Sequence, residues 1–402
     1  MYLNFTHTIP LSLYVHLPWC VRKCPYCDFN SHETGHVLQK ETAYIEALIR
    51  DLESALPSVW GRRISSVFIG GGTPSLFSVV AIERLLAGLR ARLNFHPDLE
   101  ITLEANPGTA EAGKFRGFRE AGVNRLSIGV QSFNNEKLQR LGRIHDGSEA
   151  RAAIAMAQNA GFEELNIDLM FGLPGQTTED SLHDLQMAMD YGPTHISWYQ
   201  LTLEPNTVFH AQPPVLPDDD LIWQMQEVGQ QLLKDNGFAQ YEISAYARDG
   251  HQCVHNLNYW QFGDYLGIGA GAHSKLTDVT AGKVVRIARH RLPDRYFMLA
   301  GTDSVITESR ELTEDDLKLE FMLNAMRLNA GVHPSMFLQR TGMPLKVIET
   351  ELGVATAKGL VDSNIHLLQP TLRGRNYLND LLQIFMSDTE TDSSAVSRKY
   401  LT

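Results

Sequence analysis

Between Trp19 and Asn30 the chain reads WCVRKCPYCDFN, which places Cys20, Cys24 and Cys27 within eight residues; the fourth cysteine, Cys253, lies more than two hundred positions away. Clustered thiolates at such spacing are metal ligands in the first instance. A structural zinc site closes with four protein ligands, often as two paired knuckles, and the second pair is missing here. Three thiolates on one tight loop can instead hold three irons of a [4Fe–4S] cube and leave the fourth iron open. An open iron can bind a small molecule through an amino nitrogen and a carboxylate oxygen. Zinc and free buried thiols remain the alternatives at this point.

Further residues capable of chemistry are spread along the chain: Gly70-Gly71-Gly72-Thr73-Pro74, Glu104, Gln131, Arg143, Asp168, and HNLNYW from His255 to Trp260. Their positions become meaningful once the elements carrying them are identified. Strands are expected at 11–17 (LSLYVHL), 65–71 (SSVFIGG), 100–106, 125–131, 165–171 and 195–203. Segments of helical period lie between them, near 44–56, 78–92, 109–121, 146–160, 178–191 and 218–236. Each strand–helix–strand unit takes a few tens of residues, as parallel crossovers require.

Six such units make an α/β fold, either a doubly wound sheet or an incomplete (β/α)6 barrel. In both, ligands sit beyond the carboxyl ends of the strands. The cysteines follow the first strand, the glycines the second, and Glu104 closes the third. Gln131 ends the fourth, and Asp168 lies in the fifth. One shared location argues for one site better than any single motif does.

After about residue 240 the repeat stops. The expected division is a barrel over 1–240, an aromatic and glycine-rich extension over 241–305, a small helical, winged-helix-like domain over 306–386, and a disordered polar tail over 387–402. GLVDSNIHLLQ (359–369) reads as a hairpin between helices.

A formal charge of −12, from 47 acidic residues against 35 Lys and Arg, argues against a general nucleic-acid surface. No uninterrupted apolar run spans a bilayer. Four cysteines in 402 residues make no disulfide framework, so a cytoplasmic protein is expected, with any membrane contact peripheral.

The cysteine loop, with Tyr26 before the third Cys, resembles that of the radical SAM proteins. The resemblance covers most of residues 11–385 and points to the group that includes oxygen-independent coproporphyrinogen III oxidase. It implies a [4Fe–4S] cluster held by Cys20, Cys24 and Cys27, with exchangeable S-adenosylmethionine (SAM) on the open iron. In that family the reduced cluster cleaves SAM to methionine and a 5′-deoxyadenosyl radical. The resemblance also implies that Tyr14 contacts the methionine end of SAM and that Gly71-Gly72-Thr73 forms the glycine-rich SAM loop. Glu104, Gln131, Arg143 and Asp168 match the remaining polar contacts, and glycine there would let backbone groups approach the ligand.

Two departures from the oxidase stand out. That enzyme has a fourth cysteine two positions after the third, where this chain has Phe29, and it carries a longer N-terminal segment. Both match a heme-binding relative regarded as a heme chaperone. HNLNYW also fits the H-N-x-x-Y-W pattern associated there with heme. A neutral imidazole on His255 can ligate heme iron, and Tyr259 and Trp260 can lay apolar surface against a porphyrin. The expected function is a chaperone that binds heme and passes it to acceptor hemoproteins, including membrane-bound cytochromes. Coproporphyrinogen III oxidation is the alternative, and a zinc-bound adaptor the third reading. Cys253, His16, His145 and His273 are assigned to packing or support.

Overall fold

Alternation in LSLYVHL decides how the first strand is used. Leu11, Leu13, Val15 and Leu17 are buried in the main core, whereas Ser12, Tyr14 and His16 occupy the opposite face. In the computed structural model this strand is β1 (Leu11–Leu17), and the structure describes residues 3–5, 7–34, 41–109 and 112–386. The pattern recurs in β2 (Arg63–Gly71), β3 (Asn94–Ala105), β4 (Arg125–Gln131), β5 (Glu164–Phe171) and β6 (His195–Gln200). The apolar face packs on helices α1 (Glu41–Val59), α2 (Val79–Arg90), α3 (Ala112–Ala121), α4 (Gly147–Asn159), α5 (Thr178–Asp190) and α6 (Asp219–Asp235).

Local sequence sets the helix boundaries. Tyr44, Ile45, Leu48 and Leu52 supply the buried stripe of α1. Capping boxes, Asp146 with Glu149 and Thr177 with Asp180, start α4 and α5 by satisfying their first free amides.

β1 to β6 are parallel and lie side by side in chain order. A doubly wound sheet would reverse its order around the first strand. This one does not, so the arrangement is the incomplete (β/α)6 barrel.

The sheet extends at both edges. β7 (Ala239–Glu242) and β8 (Ala245–Ala247) add a hairpin to β6, with β8 antiparallel to it. β9 (Asp264–Ile268) runs parallel to β1, followed by antiparallel β10 (His273–Asp278), β11 (Lys283–Arg289) and β12 (Ile306–Glu311). The full order is β12-β11-β10-β9-β1-β2-β3-β4-β5-β6-β8-β7. Between β8 and β9, the short helix α7 (Val254–Trp260) carries HNLNYW and lies against β1, β2 and β9.

A second core forms around helices α8 (Glu314–Ala325), α9 (Ser335–Thr341) and α10 (Glu349–Ala357). Its composition corrects the expected division in two places. Leu3, Phe5 and Ile9 pack here rather than in the barrel, because β1 begins only at Leu11 and leaves them no sheet to join. Residues 306–311, assigned above to the helical domain, form β12, since alternating ITESRE can extend the edge beyond β11. The expected hairpin over 359–369 is reduced to single bridges, Val361 with Pro370 and Val332 with Leu368. Proline, lacking an amide hydrogen, cannot continue a ladder. The tail over 387–402 lies outside the described residues.

Candidate functional site

The polar face of β1 to β6 lines the inside of the barrel, and cross-strand bonds tie it together. Ser66 donates to Ser12 at 2.7 Å, Ser127 to Asp168 at 3.0 Å, and Asn166 to Ser127 at 2.8 Å. Tyr14 stacks on Phe68 with ring centroids 6.3 Å apart.

The cysteine loop leaves the carboxyl end of β1. Trp19–Cys20 pairs with His32–Glu33, which folds the loop back on itself. The three thiols have separate partners. Thr73 Oγ1 donates to Cys20 Sγ at 3.5 Å, Arg143 Nη1 donates to Cys24 Sγ at 3.6 Å, and Cys27 Sγ lies 3.7 Å from Ser31 Oγ. Among the described residues, no three His, Cys, Asp or Glu side chains converge on a point that would hold a single metal ion. A cube does not require such convergence, because each thiolate binds its own iron.

The glycine loop is zipped to the cysteine loop. Gly72 N donates to Leu17 O at 2.8 Å and Thr73 N to Trp19 O at 2.7 Å, while Gly71 N donates to Glu104 Oε2 at 3.1 Å. A Cβ at Gly72 would lie 2.5 Å from the Trp19 carbonyl oxygen, and one at Gly71, where φ is +119°, would lie 2.7 Å from the His16 ring. The glycines are therefore required first by the protein's own packing. The amides expected to face a ligand already donate within the chain.

Glu104 and Asp168 face the interior from β3 and β5. Burial and the charge of Asp168 push the Glu104 carboxyl up to about 7, against the opposing pull of the Gly71 amide. Asp168 is also raised, chiefly by burial, although its hydrogen bonds act in the other direction. Neither carboxylate has an ion-pair partner among the described residues. Arg143 donates to Gly129 O at 2.7 Å, and its buried Nε has no partner. Gln131 sits at a bulge with φ of +69° and accepts from Tyr199 at 2.8 Å, while Tyr26 packs against Phe209. A non-glycine residue held at positive φ beside a site is backbone strain that the surroundings enforce.

HNLNYW lies elsewhere in the same interior. Glu100 accepts from the backbone N–H groups of Val254 at 3.1 Å and His255 at 3.0 Å, and is itself held by Arg125 at 2.9 Å. His255 is half-buried, its Nδ1 is 3.1 Å from Ser66 Oγ, and its ring lies 5.0 Å from Phe68 and 6.5 Å from Tyr14. Burial lowers its pKa to about 3, so the imidazole is neutral. Tyr259 packs on Tyr265. Trp260 lies below the Arg327 guanidinium and is perpendicular to Tyr259, with an interplanar angle of 86°. The two rings cannot both lie flat on one porphyrin face. Cys253 is buried, and its thiol donates to Glu100 at 3.4 Å.

Sequence reasoning passed over Ser127, Asn166 and Tyr199, and it left His16 without a partner. His16 bridges Tyr14 OH at 3.0 Å and Asn30 O at 2.9 Å. The signal was present, because each sits at an alternate, inward-facing strand position.

Fold and cysteine loop together define a class. The model of the Radical SAM superfamily matches residues 14–188. The solved coproporphyrinogen III oxidase HemN of Escherichia coli, a radical SAM enzyme, superposes with a TM-score of 0.80 at 26% identity, over 94% of this chain and 91% of that one. The heme chaperone HemW of Escherichia coli K12 is 49% identical over 94% of this chain and 99% of its own length, and that of Haemophilus influenzae is 47% identical over 94% and 98%. The chain belongs to the HemW family of radical SAM proteins.

Radical SAM membership implies a [4Fe–4S] cluster and SAM. The residues present fit both. Two buried carboxylates without an ion pair among the described residues suit the ammonium and ribose hydroxyls of SAM, and three thiols on one loop suit a site-differentiated cube.

Proposed function

We propose that this protein is a heme chaperone that binds heme and transfers it to acceptor hemoproteins. What supports the reading most is full-length similarity to relatives named for that role. In it, Cys20, Cys24 and Cys27 hold the cluster, with SAM exchangeable on the fourth iron. Tyr14, Gly71, Gly72, Thr73, Glu104, Gln131, Arg143 and Asp168 surround SAM, with Tyr26 packed beside Arg143. Glu104 and Asp168 would balance its positive charge, and Arg143 would hold a carboxylate or a cluster thiolate. The cluster and SAM supply electron transfer and radical chemistry when bound. His255, Tyr259 and Trp260 are the heme residues inferred from the motif. Membrane-bound cytochromes are acceptors in this reading, reached by peripheral contact, since no helix among the described residues is long and apolar enough to cross a membrane.

The test is anaerobic reconstitution followed by heme titration and transfer to an apo-hemoprotein. Saturable binding with loss of heme to the acceptor is expected. Absence of saturable binding would end the chaperone reading. The likeness to HemN favours a second reading, SAM-dependent oxidative decarboxylation of coproporphyrinogen III. Decarboxylated product from cluster-loaded protein with SAM and reductant would establish it. No product is expected.

A further inference from the structure

The segment that follows the third cysteine, Asp28-Phe29-Asn30-Ser31, is held from several sides. Ser31 N donates to Phe29 O at 2.7 Å, and Lys23 Nζ donates to the same carbonyl at 3.0 Å. Asn30 Nδ2 donates to Ala270 O and to Arg291 O, each at 2.9 Å, and the Asn30 carbonyl lies 2.9 Å from His16 Nε2. On the far side, His32 N donates to Pro18 O at 2.7 Å and Thr34 N to Cys20 O at 2.9 Å. These bonds fix the position of residue 31 without using its side chain.

The side chain so placed is a hydroxyl. Ser31 is buried, and its Oγ lies 3.7 Å from Cys27 Sγ. Buried hydroxyls are nearly always hydrogen-bonded, and among the described residues this one has only cysteine sulfur as its partner. With a free thiol either atom can be the donor. A thiolate bound to iron carries no proton, so the hydroxyl must then donate. Burial raises the Cys20 and Cys27 thiols, and hydroxyl donation opposes it, from Thr73 and then Ser31 at Cys20 and from Ser31 at Cys27.

We propose that Ser31 raises the reduction potential of the cluster by donating its hydroxyl hydrogen to the iron-bound thiolate of Cys27. The proposal rests on the cluster ligation given above, a reading in which Ser31 has no role. Ser31 is a positioning residue, acting through Cys27. Adding one electron to a [4Fe–4S] cluster increases the negative charge on its sulfurs. A donor fixed at one sulfur therefore stabilises the reduced state more than the oxidised one, and the potential rises. Burial strengthens the effect, because water is not there to supply the same bond. Arg143 and Thr73 also reach cluster thiols, but both belong to the proposed SAM site. Ser31 reaches sulfur alone, so its removal isolates the hydrogen bond.

The experiment is an anaerobic redox titration of cluster-loaded protein without SAM, followed by electron paramagnetic resonance, for wild type, Ser31→Ala and Ser31→Thr. Sodium dithionite supplies the electron, and iron and sulfide content is measured for each protein. The expected result is that Ser31→Ala keeps its iron and sulfide while its midpoint shifts to a more negative potential. Ser31→Thr restores a hydroxyl and should return the midpoint toward that of wild type, which a merely structural role would not do. An unchanged or raised midpoint in Ser31→Ala would overturn the proposal and leave the ligation standing. So would a midpoint lowered equally in both variants, which would assign the shift to packing. A cluster lost in Ser31→Ala would also overturn it, by making the side chain a requirement for assembly. A wild type that assembles no four-iron cluster would overturn the ligation itself.

Discussion

The two ends of the barrel treat buried charge in opposite ways. At the base, Arg125 bonds both Glu100 and Glu164 at 2.9 Å, and Glu164 also meets His251 at 2.6 Å. Nearby, Asp264 lies between Arg62 at 2.8 Å and Lys275 at 2.9 Å. At the mouth, Glu104 and Asp168 are held by an amide, hydroxyls and a side-chain amide, with no cation in contact. Base charges neutralise one another and lock the α7 helix and the sheet edge. Mouth carboxylates are oriented by dipoles without an ion pair, Arg143 acting on Asp168 only without a direct bond, and burial disfavours their ionised form until a further cation arrives. Buried charge that the fold completes is structural, and buried charge that it leaves incomplete marks a ligand site.

The sharpest test of this contrast is Cys24→Ala. It should abolish the cluster, read as loss of iron, sulfide and visible absorbance, while far-UV circular dichroism stays unchanged. A lost fold would show that the mouth also carries stability. Next in size is Arg125→Ala at the base, which strands Glu100 without its cation and should cost about 3–5 kcal/mol in denaturant unfolding. A loss below about 1 kcal/mol would erase the distinction between the ends.

Glu104→Gln at the mouth should act in the reverse sense. Folded Glu104 titrates near about 7, above its ordinary value, so between that value and about 4.5 the folded chain binds more protons than the unfolded one. Its contribution to stability therefore falls as pH rises through that window, by at most about 3 kcal/mol. Cluster-free wild type should unfold more readily at pH 8 than at pH 5.5, and the Gln variant should flatten that slope. The same substitution should weaken SAM binding at pH 8 by about tenfold or more, measured by calorimetry on loaded protein. The smallest effect is expected at an exposed helix cap. Asp146→Ala removes the α4 capping box and should lower the denaturant midpoint slightly without altering cluster content or SAM affinity.

Much of this molecule is legible along the chain because its signals are local. LSLYVHL and RLSIGVQ read directly as strands, Tyr44 to Leu52 shows its helical stripe, and the three cysteines lie within eight residues. The interior face was equally readable, since Ser12, Tyr14 and His16 alternate with leucines and valine, but period-two polarity inside a parallel barrel is easily taken for noise. HNLNYW shows the limit of a motif. Its six letters do not say that Glu100, over a hundred and fifty residues earlier, caps the helix, or that Trp260 turns toward Arg327.

Composition, period and spacing determined the elements, their parallel crossovers and the three clustered thiols, since these depend on residues near one another in sequence. Only the tertiary structure decided that the six strands close in order rather than reverse, that Leu3 and Phe5 belong to the second core, and that Gly72 is demanded by the Trp19 backbone. It also decided which carboxylates are neutralised. Glu100 and Glu104 lie on one strand with the same chemistry, but Arg125 and two α7 amides hold the first, whereas the second has burial and Asp168 against it and no cation in contact. Charge pairing is a property of distance in space, and the sequence sets that distance only through the whole fold.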